Sequence, residues 1–130
     1  SILDNFPGNT TAEKELNRIV GNLQNANNKG IRITVGSDSF CSSLTPYGKY
    51  AITEMYTLNK SGLTEMETIV AATKNGAEML KIDSITGTIE AGKFADIIVL
   101  DNNPLDNIKN VNVDEMKVIM KEGHFVKYKL

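Results

Sequence analysis

One carboxylate, Asp38, stands where a short apolar stretch ends, in the sequence Ile-Arg-Ile-Thr-Val-Gly-Ser-Asp. Ile31, Ile33 and Val35 alternate with more polar residues, which predicts a strand over residues 31–38. Enzymes of the α/β class place catalytic side chains at the carboxyl ends of their strands. A carboxylate there can ligate a divalent metal and accept a proton from metal-bound water. The Gly-Ser-Asp turn fits an aspartate that merely caps the loop equally well.

The other side chains that could do chemistry lack the partners they would need. Ser37 and Ser39 flank Asp38, but a serine nucleophile requires a base such as histidine within reach. The single histidine, His124, lies far along the chain, and the single cysteine, Cys41, excludes a disulfide within it. We interpret the serines as turn residues, His124 as an exposed hairpin residue and Cys41 as unreactive.

A catalytic zinc site takes three protein ligands, usually rich in histidine. The sequence contains one histidine and no His-x-His pair. This chain alone therefore cannot complete a metal site around Asp38.

Length and composition indicate one globular domain with a modest core. The chain has 130 residues, of which 41% are hydrophobic and 23% charged. A net charge of −2 with scattered basic residues excludes a nucleic-acid-binding surface. The apolar runs are too short to span a bilayer, so we expect no membrane partner. The single cysteine fits a cytoplasmic location. Because the chain begins with Ser1 rather than Met, we expect further sequence upstream.

The pattern changes from helical to extended near residue 82. Helical periodicity and capping signals predict helices over residues 11–28, 50–59, 64–73 and 73–80. Strand signals follow over residues 94–100, 116–121 and 124–129, the last two forming a hairpin around Glu122-Gly123. Asp96 interrupts the first of these apolar runs, so we expect its carboxylate to face solvent or to bind a neighbouring backbone group.

Four stretches together resemble the C-terminal part of the amidohydrolase superfamily, especially its imidazolonepropionase-like and prolidase-like branch. Residues 30–38 resemble the last strand of a TIM barrel with its metal-binding aspartate. Residues 61–69 resemble the helix start that follows, and residues 71–80 resemble the helix after it. Residues 87–100 resemble the return into a small β-sandwich. The resemblance extends over residues 30–128 and depends on the order and spacing of the stretches.

The resemblance implies an α/β fold in two parts. Residues 1–82 would be the C-terminal segment of a metal-dependent hydrolase TIM barrel, comprising its last helix, strand and closing helices. Residues 83–130 would be half of a small β-sandwich, whose other half would come from the start of the full-length protein.

The resemblance also implies a function, the hydrolysis of amide or cyclic amide C–N bonds in a small-molecule substrate. Asp38 would be both a metal ligand and the catalytic base. The divalent metal, zinc, would be held completely only by the full-length enzyme, so this chain alone would be inactive. Tyr47 stands where related enzymes often have histidine, which makes it a candidate substrate contact, with loop packing as the alternative.

Two other functions remain open from the sequence. The chain could be a non-catalytic assembly or binding domain that forms oligomers through the exposed strand edges of residues 86–128. It could also be a generic α/β binding module whose Gly-Ser-Asp turn holds a small polar ligand. The substrate itself is not encoded in any motif of this chain.

Overall fold

The computed structural model describes residues 10–38 and 48–129. Four helices come first: α1 (Thr10–Asn28), α2 (Lys49–Lys60), α3 (Glu65–Ala72) and α4 (Lys74–Met79). After them come β1 (Ile97–Leu100), a short 3-10 helix (Ile108–Asn110), β2 (Met116–Lys121) and β3 (His124–Tyr128). The predicted helices and the hairpin are confirmed, and the fold is a mixed α/β arrangement with a small antiparallel sheet.

The strand predicted over residues 31–38 is wrong for this structure. No strand partner for this segment exists among the residues that the structure describes, and the single described sheet is β1-β2-β3. A strand requires a neighbour for its backbone donors and acceptors. The segment binds helices instead: the Ile31 amide donates to Ala26 O (3.0 Å) and the Val35 amide to Ala71 O (3.2 Å).

Of the three alternating apolar residues, Ile33 and Val35 face inward, whereas Ile31 is 57% exposed. Ile33 and Val35 pack against a buried cluster composed of Leu58, Leu63 and Ala71. These three residues come from the end of α2, the connection that follows it, and α3. The segment thus has one buried side even without a sheet.

The turn between α2 and α3 is fixed by the predicted capping box. The Thr64 hydroxyl accepts a hydrogen bond from the Glu67 amide (3.2 Å), and the Thr64 amide donates to Glu67 Oε2 (2.8 Å). The two bonds satisfy amides that a helix start leaves unpaired. The backbone bond from Thr64 is the main cause of the lowered pKa of Glu67.

The hairpin turn is held by Asp96, which confirms the structural interpretation of that residue. Glu122 and Gly123 have φ values of 51° and 82°, so both central residues of the turn lie in the left-handed region. The Asp96 carboxylate accepts hydrogen bonds from the Glu122 amide (2.8 Å), Lys121 Nζ (2.8 Å) and Thr86 Oγ1 (3.3 Å). The bond from Lys121, followed by the Glu122 amide, lowers the pKa of Asp96.

The strand predicted over residues 94–100 is shorter in the structure, beginning at Ile97. Ala95 O accepts from the Gly123 amide (3.1 Å), and the Asp96 amide donates to Phe94 O (2.9 Å). These backbone groups are committed to the turn and to a local bend, so they are not available to the sheet.

Gly87→Ala should destabilise the chain more than Gly92→Ala does. The two glycines have similar φ values of 92° and 90°, so both substitutions impose about 1–2 kcal/mol of backbone strain. A Cβ at Gly87 would also lie 2.5 Å from the Ala77 Cβ, whereas a Cβ at Gly92 meets nothing within 4 Å. The overlap adds about 1–3 kcal/mol. Urea unfolding of both variants measures the difference in unfolding free energy. Equal losses of stability in the two variants would contradict the overlap with Ala77.

Asp96→Asn should lower stability at pH 7 and have a smaller effect in acid. A carboxyl whose pKa is lowered by folding stabilises the fold above its unfolded value of 3.8, and this contribution is lost as pH falls through the folded pKa. Urea midpoints at pH 7 and pH 3 measure the effect. Lys121→Met is the control, because it removes the ammonium group but leaves the Glu122 amide bond, so it should cost less at pH 7. If the urea midpoints of the wild type and Asp96→Asn differ as much at pH 3 as at pH 7, the ionised carboxylate is not the source of the stability.

Candidate functional site

Asp38 is exposed and stands at the end of the segment over residues 31–38. Its φ is 44°, in the left-handed region that aspartate tolerates better than most residues other than glycine. The backbone therefore turns at Asp38, as the Gly-Ser-Asp sequence predicts. An exposed carboxylate at a turn is available to a ligand.

The residues before Asp38 are held by α3 and α4. Four consecutive residues of the segment each contact one residue of these two helices. The contacts are an ion pair between Arg32 and Glu78, a bond from Asn75 Nδ2 to Ile33 O (2.8 Å), a bond from Thr34 Oγ1 to Met79 Sδ (3.7 Å) and a bond from the Val35 amide to Ala71 O (3.2 Å). The two helices thus replace the neighbouring strands that the segment lacks.

The end of α3 explains why the Ala71 carbonyl can accept a hydrogen bond from the segment. Ala71 O belongs to the last turn of α3, and carbonyls in the last turn of a helix have no amide donor within that helix. The neighbouring carbonyl of Val70 accepts from the Thr73 amide (3.3 Å), and that of Ile69 accepts from Thr73 Oγ1 (2.7 Å). Thr73 interrupts the helix at φ −126° and ψ −85°, so that α4 begins as a separate helix.

The described residues do not form a complete metal site. Within residues 10–38 and 48–129, no group of three or more His, Cys, Asp or Glu side chains is placed to hold a metal ion. His124 lies in β3, next to the hairpin turn. Asp38 thus fits a metal as one exposed oxygen ligand, but it belongs to no group of three such side chains among the residues described.

Tyr47, Ser39 and Cys41 lie outside the described residues, so their predicted roles stay predictions. Ser37 is half-buried beside Asp38. Sequence reasoning did not single out Asn75, although it lies within a stretch that carries the family resemblance. Its sequence context, Asn-Gly at a helix break, indicates a turn and gives no sign that the amide reaches a residue 42 positions earlier.

In the part of the chain that the structure describes, no helix combines the length and the apolar character that a membrane span requires.

Comparison with known proteins places the chain in a family. The sequence model of the amidohydrolase family matches residues 4–126. The chain belongs to the amidohydrolase family. Enzymes of this family generally bind divalent metals.

The proteins that this chain resembles include an imidazolonepropionase and two prolidase-like structures. The imidazolonepropionase of Picrophilus torridus is 41% identical over 81 residues, which are 62% of this chain and 20% of that protein. The structure of a Xaa-Pro dipeptidase matches with a TM-score of 0.72 and 28% identity, over 84% of this chain and 25% of the other. A putative prolidase from Bifidobacterium longum matches with a TM-score of 0.71 and 32% identity, over 85% and 27% respectively.

These matches confirm the family resemblance and show that the relatives are hydrolytic enzymes. The chain spans between 20% and 27% of the length of these three relatives.

Proposed function

We propose that the chain is the C-terminal portion of a metal-dependent amidohydrolase that hydrolyses the C–N bonds of amides or cyclic amides. The observation that carries the proposal is the family match over residues 4–126. In this proposal, residues 1–82 form the last helix, strand and closing helices of a TIM barrel. Residues 83–130 form half of a small β-sandwich.

The segment over residues 31–38 supports the barrel assignment. It lies between α1 and α2, so the chain order is helix, extended segment, helix, as in α/β folds. Its side chains at Ile33 and Val35 already pack on helices, while no described strand pairs with its backbone. A barrel would provide parallel strands on both edges of this segment.

Asp38 has two proposed roles in this enzyme. Its carboxylate is an oxygen ligand of a type that zinc accepts, and the other ligands come from outside the described residues. A divalent metal in such a site supplies an activated water. As the base, Asp38 takes a proton from the attacking water and passes it to the leaving nitrogen. The chain contains a single histidine, and no group of three or more possible metal ligands occurs among the described residues, so the isolated 130 residues should have no activity.

The substrate is proposed to be a small molecule with an amide or cyclic amide bond. The names of the relatives support a substrate class that includes both kinds of bond, since one relative is an imidazolonepropionase and another a Xaa-Pro dipeptidase. Tyr47, nine residues after Asp38 in the sequence, is the proposed substrate contact.

Asp38→Asn in the longer protein that carries this chain tests the catalytic role. Loss of a general base typically lowers kcat by about 10²–10⁴-fold, and we expect a decrease in this range against amide and dipeptide substrates. Asp101→Asn is the control, because Asp101 pairs with Lys117 (2.9 Å) on the sheet rather than with the segment that ends at Asp38. Full metal occupancy with unchanged turnover in Asp38→Asn would rule out the base.

A second candidate function is a non-catalytic assembly domain, and the exposure of the sheet favours it. β1 and β3 form the two edges of the sheet. Exposed apolar side chains occur on both of them, namely Ile98, Val99, Phe125, Val126 and Tyr128. Open edges with apolar side chains promote pairing between chains.

If this second function holds, the chain should self-associate through β1, whose four residues Ile-Ile-Val-Leu carry no charge. Sedimentation measurements at increasing concentration should then show dimers or larger species. Ile98→Lys, which places a charge on an exposed position of β1, should shift the equilibrium towards monomers. Lys129→Ala, beyond the end of β3, is the control and should leave association unchanged. A strictly monomeric chain at high concentration would exclude this function.

A further inference from the structure

Asn75 connects α4 to the backbone that leads to Asp38. Its side-chain amide donates a hydrogen bond to Ile33 O over 2.8 Å. Asn75 is half-buried, so this bond is partly shielded from water. A bond to the backbone fixes the chain itself rather than the position of one side chain.

The neighbouring contacts hold the segment less firmly. The ion pair between Arg32 and Glu78 is on the surface, with the Arg32 side chain 72% exposed, and exposed pairs contribute little. The Thr34 hydroxyl reaches a thioether sulfur, which is a weak acceptor. Among the contacts of residues 32–35, the bond from the Val35 amide to Ala71 O, at 3.2 Å, is the other strong hydrogen bond. The Ile33 and Val35 side chains also pack against the buried cluster, but apolar packing is less directional than a hydrogen bond to the backbone.

The position of Asp38 depends on these restraints. Ile33 is five residues before Asp38, and no described strand supports the segment between them. Gly36 offers little stiffness, because glycine is the least restricted residue. Catalytic rates respond strongly to small displacements, with about 10²-fold lost for a misplacement of 1 Å. A restraint at Ile33 therefore bears on how accurately the carboxylate is placed.

We propose that Asn75 is a positioning residue: its amide fixes the backbone at Ile33 and thereby places the Asp38 carboxylate in the active site. This inference rests on the proposed catalytic role of Asp38. Neighbouring strands of a longer protein would share the restraint, so loss of the amide should cost less activity than loss of Asp38 itself.

The first test uses the 130-residue chain and needs no activity. Asn75→Ala should increase the hydrogen-exchange rate of the Val35 amide about tenfold. Asn59→Ala is a matched control, since Asn59 Nδ2 donates to Leu63 O (2.9 Å) and makes the same kind of bond outside the segment. The Thr68 amide, which donates to Thr64 O inside the helical part, reports global unfolding and should not change. Unchanged exchange at Val35 in Asn75→Ala would overturn the proposal.

A second variant covers the case in which Asn75→Ala does not fold. Asn75→Asp keeps the size of the side chain but replaces the donating amide with an acceptor, which repels Ile33 O. It should also accelerate exchange at Val35, whereas Asn75→Gln, which retains an amide, should restore part of the protection. Equal exchange in Asn75→Asp and the wild type would overturn the restraint.

The second test uses the longer protein that carries this chain. Asn75→Ala should lower kcat about 10- to 100-fold with KM and metal content nearly unchanged, because a misplaced base slows the chemical step without weakening substrate binding. Asn59→Ala should match the wild type. If Asp38→Asn inactivates the enzyme but Asn75→Ala behaves like Asn59→Ala, the positioning role alone is refuted. If Asp38→Asn leaves turnover unchanged, the proposed function fails and the positioning role fails with it.

Discussion

The backbone of residues 31–38 sets the main constraint on this structure. Where its half-buried residues exclude water, their amide and carbonyl groups must find partners in the protein, because leaving a buried group unpaired costs about 1–3 kcal/mol. Here the partners are helices: Ala26 O, Ala71 O and the Asn75 amide bind Ile31, Val35 and Ile33 respectively. The arrangement of α1, α3 and α4 around the segment follows from this requirement together with the packing of Ile33 and Val35.

The rest of the chain is joined by a few specific contacts rather than by a large common core. Tyr56 of α2 donates its hydroxyl to Val111 O (2.8 Å), which links the helices to the connection that precedes β2. Partial burial raises the pKa of Tyr56 further above its usual value of 10.0, and the hydroxyl is a donor at neutral pH with or without that shift. Gly87 permits a close approach to Ala77 of α4, and Asp96 ties Thr86 to the hairpin turn. Each contact joins residues that are distant in sequence or lie in different elements.

Features that depend on residues close together in the sequence could be predicted, whereas features that depend on distant residues could not. The helices were predictable because periodicity and the capping box at Thr64 act within a few residues. The strand over 31–38 was wrong because alternation reports a buried side and cannot report a missing neighbour. β1 is shorter than predicted because Ala95 and Asp96 serve the hairpin, whose turn is 26 residues further along.

The candidate site follows this pattern as well. Asp38 was predicted from its local turn, and its exposure and left-handed backbone agree with a turn, while its catalytic role stays a prediction. Asn75 was not predicted as part of the site, because its partner Ile33 is 42 residues earlier and its own neighbours indicate only a helix break.

The two candidate functions make different demands on association between chains. Self-association through β1 would satisfy an open strand edge, but each added copy brings only one histidine, His124, in β3. Association of several copies therefore adds only further copies of His124, which is far from Asp38 in the sequence. It does not create the histidine-rich ligand set that a catalytic zinc requires. Pairing at the sheet also leaves residues 31–38 without a strand neighbour. A different polypeptide segment, with strands for both edges of 31–38 and with histidines of its own, would satisfy the backbone and the metal together. In that arrangement, the strand pairing that completes the fold would also bring the missing ligands to Asp38.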